Sequence, residues 1–81
     1  MLTNAEMIPG RYLRWHNARK LYKRIMSQFD RGGAIRIVTY TKCIECHPKH
    51  RAMIRCTKRD VLIQRGKNWD AITHTRIDFS R

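Results

Sequence analysis

The chain has 81 residues, and 18 Lys and Arg against 6 Asp and Glu give it a formal charge of +12. Hydrophobic residues make up 42% of it, too many for a disordered basic tail, and no run approaches the ~20 apolar residues of a membrane span. A chain this short buries only about 60 to 65% of its unfolded surface, so one small core and a single domain over 1–81 are expected.

In chain order, residues 1–10 read as an ordered or half-ordered arm. The arm lacks the apolar region of a signal peptide and closes on Pro9-Gly10, a pair that punctuates the backbone. Residues 11–30 contain no Pro or Gly, and Trp15, Ala18, Tyr22, Ile25, Met26 and Phe29 recur at spacings of three and four. That periodicity predicts an amphipathic helix, with Leu21 joining the apolar arc and His16, Arg19, Lys20, Lys23 and Arg24 gathered on another. Asp30-Arg31-Gly32-Gly33 ends it with glycines that tolerate positive φ.

After Gly33 the texture turns to Ile, Val, Thr and Tyr between turn formers, which predicts strands. Ala34 to Thr41 is the clearest, followed by a break at His47-Pro48-Lys49-His50 and strands over Ala52 to Cys56 and Val61 to Arg65. Gly66-Lys67-Asn68 makes a tight turn, and Trp69 to Phe79 closes the chain as a fourth strand. The expected fold is α+β, in the order αββββ. One N-terminal helix packs on a four-stranded antiparallel meander filling 34–79, since that buries both apolar surfaces economically.

The charge points to a polyanionic partner, because a single-sign field of this density repels itself until something neutralises it. Nucleic acid is the expected ligand. Arg19, Lys20, Lys23 and Arg24 lie on one side of a rod whose width suits a DNA major groove, which favours DNA over RNA. The bland alternative is a solvated helix face, but Asp30 is the only acid between Arg11 and Arg31, so mixed surface pairs do not explain the pattern. A second basic set, Lys49, Arg51, Arg55, Lys58, Arg59, Arg65, Lys67 and Arg76, falls on the sheet and its hairpin tips. If the helix covers one sheet face, Tyr40, Arg55 and Trp69 on the other offer a surface on which unpaired bases stack, against the alternative that both aromatics are core.

Three Cys is an odd number, which argues against a closed disulfide framework and for reduced thiols or metal ligation in a cytoplasmic or nucleoid-associated protein. They fall in Cys43-x2-Cys46-His47-x2-His50-x5-Cys56. The order Cys, Cys, His, Cys resembles the zinc knuckle of retroviral nucleocapsid-type proteins, C-x2-C-x4-H-x4-C. The resemblance covers Cys43 to Cys56 alone. It implies a structural zinc on Cys43, Cys46, His50 and Cys56, but His50 arrives one residue early and the knuckle's glycine is missing. The alternative is three small buried hydrophobes along two strands.

Small basic α+β domains include toxin-like ribonucleases, for which His47, His50 and His74, with Arg55 or Arg65 and Glu45, are raw material. No motif sets them together, and Asp60, Asp70 and Asp78 are not spaced for two-metal chemistry. The expectation is therefore a non-catalytic nucleic-acid-binding protein without a required cofactor, regulatory or architectural, with a homodimer plausible on size. A protein-interaction module or inhibitor docking on an acidic partner is the alternative from a different class.

Overall fold

A computed structural model describes residues 2–7, 15–38, 43–72 and 76–80. The predicted helix is present as α1, Trp15–Asp30. It buries Ala18, Leu21, Ile25, Gln28 and Phe29, which at 100° per residue occupy an arc of roughly 100°. Tyr22 and Met26 are half-buried at one margin of that arc. Trp15 does not join them. It shares their side of the helix but stands at its first residue, and 51% of it is exposed, which corrects the expectation that it packs. Residues 11–14 of the expected helix fall outside the described set.

The helix stops as its sequence predicts. The Gly33 N–H bonds the Gln28 carbonyl and the Gly32 N–H bonds the Phe29 carbonyl, both at 2.9 Å. Those are the two crossed bonds of a Schellman ending, which requires a left-handed residue between them. Gly32 supplies it with φ of 76°.

The fold is α+β with antiparallel sheets, but the single four-stranded meander is not what forms. Among the described residues, seven strands make two sheets. β1 (Leu2–Met7), β2 (Ile35–Val38), β3 (Cys43–Cys46) and β7 (Arg76–Ser80) make a four-stranded sheet in the order β1-β7-β2-β3. A three-stranded meander follows the chain as β4 (Ile54–Cys56), β5 (Val61–Arg65) and β6 (Asn68–Ala71). The split has a cause in residue parity. Trp69 to Phe79 was expected as one strand, yet the buried residues are Ile72 at an even position and Ile77 and Phe79 at odd ones. A strand of period two cannot turn all three to one face. Asn68–Ala71 therefore pairs with β5, and Arg76–Ser80 pairs with β2 in the other sheet.

Two further expectations change. The arm contributes the edge strand β1, whose Met7 is in register with Arg76 and Glu6 with Ile77. The strand expected from Ala52 begins only at Ile54, because Pro48–Met53 forms a 3-10 segment. Pro48 stands at its start, where a fixed φ and a missing N–H fit a tight turn, and the Ile54 N–H bonds the Arg51 carbonyl at its end.

The helix and both sheets share one core. Ala18, Leu21, Ile25 and Phe29 of α1 meet Ile35, Ile37, Ile77 and Phe79 of the larger sheet and Ile54, Val61 and Ile63 of the smaller. Cys46 and Ile72 complete it. On the outer face of the larger sheet Asp78 is buried, accepts a hydrogen bond from Arg36 Nη2 at 3.2 Å and forms an ion pair with Arg76 Nε at 3.3 Å. This pair of guanidiniums holds a carboxylate in a central strand that water scarcely reaches. Arg36 Nε is itself buried without a hydrogen-bond partner. Among the described residues no helix is long and apolar enough to cross a membrane.

The helix ending is testable. A methyl group at Gly32 would meet nothing within 4 Å, so a substitution there carries conformational cost alone. Gly32→Ala should lower stability in urea unfolding by about 1 to 2 kcal/mol, and Gly32→Asn by less, since Asn enters the left-handed region more readily.

Candidate nucleic-acid interface

The exposed half of α1 is a cationic strip. His16, Arg19, Lys20, Lys23 and Arg24 are all exposed, and Asn17 and Ser27 are the neutral residues between them. Its two margins are fixed by stacking. Arg19 lies 5.5 Å from the ring centroid of Trp15, four residues earlier, and Arg24 lies 4.5 Å from that of Phe79 in β7. The helix also meets β4 and β5 of the smaller sheet. Burial raises the Cys56 thiol above its ordinary value, and the Arg19 guanidinium partly offsets the rise.

The turn that follows β4 adds two cations. The Thr57 Oγ1 accepts from the Asp60 N–H at 3.0 Å and from the Arg59 N–H at 3.3 Å, and the Thr57 N–H bonds the Asp60 carbonyl at 2.7 Å. Such a hydroxyl-capped turn fixes the backbone and leaves Lys58 and Arg59 exposed at its tip. At the far end of β5, Gly66 takes φ of 58° in the two-residue turn between Arg65 and Asn68, and Lys67 projects from it.

Between the two tips, Arg55 of β4 stacks on Trp69 of β6 with its guanidinium carbon 4.1 Å from the ring centroid. Two of the three residues expected as a stacking surface are thus brought together. Tyr40 lies outside the described residues, as do His74 and the Arg65 side chain. Trp69 is half-buried on the outer sheet face, so it is not a core aromatic.

The acids are mostly engaged elsewhere. Asp30 forms an ion pair with Arg51 Nη1 at 2.8 Å, which ties the 3-10 segment to the end of α1 and gives Arg51, one of the expected binding set, an acid as partner. Asp78 is held by Arg36 and Arg76, and Glu45 lies 4.0 Å from His47 Nε2. Lys20, Lys23, Lys49, Lys58, Arg59 and Lys67 pair with no acid among the described residues.

The ligands that resemble a zinc knuckle do not converge. Cys43 and Cys46 stand three apart on a strand, so period two turns them to opposite faces: Cys43 is exposed and Cys46 is in the core. Cys56 lies on the other sheet and His50 on the exposed 3-10 segment. Among the described residues no three His, Cys, Asp or Glu are grouped to hold a metal ion. The turn that would carry both thiols to one ion is replaced by a strand, which corrects that expectation. The His47 and His50 rings do meet edge to face with centroids 6.3 Å apart, near Glu45 and on open surface.

Reading the sequence alone missed two parts of this surface. Trp15 and Arg19 are an i,i+4 pair, a spacing that brings side chains together on any helix, and Thr57 precedes its turn where a hydroxyl caps it. Compared with protein-family models, curated proteins and solved structures, the chain matches none.

The thiols provide a check on the core. Burial pushes the Cys46 thiol from 9.0 up to about 11. Between those values the unfolded chain loses that proton and the folded chain keeps it, so stability should fall as pH rises from 9.0 toward 11, by up to about 1.4 kcal/mol per pH unit. This component should vanish in Cys46→Ala. At pH 8 a disulfide reagent should modify Cys43 quickly and Cys46 only on unfolding.

Proposed function

We propose that this protein binds nucleic acid by neutralising its phosphates, with duplex DNA the form that suits its helix. The observation that carries this reading is the cationic strip on α1. The apolar arc of the helix is committed to the core, which leaves about half its circumference exposed, and that half carries Arg19, Lys20, Lys23 and Arg24 without an unpaired acid among them. A helix of 16 residues is about 24 Å long and 10 to 12 Å across, close to the width of a major groove.

Two features support binding over mere solvation. Lys58 and Arg59, exposed at the turn that follows β4, add cations from a second element. The stacked Arg19 and Arg24 are also pre-oriented, which lessens the entropy lost when a phosphate orders them. The role is one of positioning and charge. Base preference requires side chains at base edges, and the strip is made of groups that suit phosphates.

Arg19→Gln, Lys20→Gln and Lys23→Gln together should weaken duplex binding and flatten its salt dependence. The slope of log affinity against log salt should become shallower by about 2 to 3, as expected for three fewer phosphates neutralised. Arg24 is left in place because it packs on Phe79. Fluorescence anisotropy with a labelled duplex at several salt concentrations measures this, and an unchanged slope would remove the helix from the interface.

A further inference from the structure

The other side of the smaller sheet carries a second surface that the helix does not explain. Ile54, Val61 and Ile63 point into the core, so alternation turns Arg55, Leu62, Gln64, Trp69 and Ala71 outward. Arg55 and Ala71 are exposed and the other three half-buried. No acid is among the five. An outward sheet face is ordinarily polar, whereas this one presents Leu62 and an indole beneath a single guanidinium.

From these features the geometry points to this face as a binding surface for an unpaired nucleic-acid strand. A base stacks on the Arg55 guanidinium plane and extends the Arg55–Trp69 pair into a three-layer stack. Lys58 and Arg59 at one end, and Lys67 at the other, meet the phosphates on either side. The five residues of β5 separate those ends by about 16 Å, room for a short stretch of strand. A duplex offers base edges and not base faces, so it would leave the guanidinium and indole of this face without a stacking partner. Unpaired bases offer the planar face that indole and guanidinium accept, whatever the base. An acidic peptide would match the cations but not the stack.

The inference shares with the proposed function the polyanionic class of ligand and the cations Lys58 and Arg59, while the Arg55–Trp69 stack belongs to it alone. β4 is an edge strand with Arg55 on its outer side.

The test uses the full chain in a Trp15→Phe background, where Trp69 is the one remaining indole of the two in the sequence. Three probes are titrated: a short oligothymidylate, an abasic backbone of equal length, and a short duplex. Oligothymidylate should quench Trp69 emission and the abasic strand should not. Arg55→Gln and Trp69→Leu should each weaken oligothymidylate binding by roughly 5- to 100-fold while leaving duplex affinity unchanged. Circular dichroism checks that both variants fold; if Trp69→Leu does not, Arg55→Gln and the quenching decide alone. Equal affinity for abasic and base-bearing strands, or parent-like oligothymidylate binding by folded variants, would overturn the sheet surface and leave the helix reading standing. Failure of every probe at low salt would overturn both and turn attention to an acidic protein partner.

Discussion

The structure depends on the narrowness of one apolar arc. About 100° of α1 has to meet two sheets at once, and it does so with Ala18, Leu21, Ile25 and Phe29, of which Ala18 and Ile25 are wholly enclosed. Ala18 matters by being small, since a short side chain lets the helix backbone come close to its neighbours. Because so little of the helix is spent on the core, the rest is free to hold cations. A wider arc would bury more surface and leave no strip. The +12 charge and the small core are thus two sides of one allocation of helix surface.

Charge of one sign cannot be crowded without supports, and the molecule supplies two kinds. Guanidiniums lie over aromatic rings at Trp15, Phe79 and Trp69, where the π-face partly replaces the missing anions. The scarce carboxylates are placed where they tie elements together: Asp30 joins the helix to the 3-10 segment, and Asp78 joins adjacent strands through Arg36. Lysines, with more strongly hydrated ammonium groups, are left at tips and on the open helix face.

Local chemistry made some of this legible and long-range pairing hid the rest. The helix and its ending follow from apolar spacing and two glycines, and β5 with the Gly66 turn follows from β-branched residues beside a turn former. The cationic strip was equally readable, since a helical wheel needs no tertiary information. What escaped were features decided by partners distant in sequence. Leu2–Met7 has little strand character of its own and becomes a strand because β7 pairs with it. Trp69 to Phe79 looked like one strand until the change of parity between Ile72 and Ile77 is weighed against two sheets. The Cys43 to Cys56 spacing suggested a turn around an ion, whereas Ile44 and Cys46 are drawn toward the core and stretch that segment into an edge strand. The Arg55–Trp69 contact was anticipated as a shared face, though its closeness depends on register across β5.

The edges of the smaller sheet carry one more consequence. β4 is only three residues long, with Arg55 at its centre and Lys58 and Arg59 just beyond, while β6 follows directly on Lys67. Short edge strands bordered by charged side chains resist the strand-to-strand zippering by which identical sheets coalesce. Net charge of one sign adds a mutual repulsion between copies, and a bound polyanion would cancel it. On the proposed reading, colloidal behaviour would follow occupancy: a complex near charge balance would be less soluble than either the bare chain or a complex with excess polyanion.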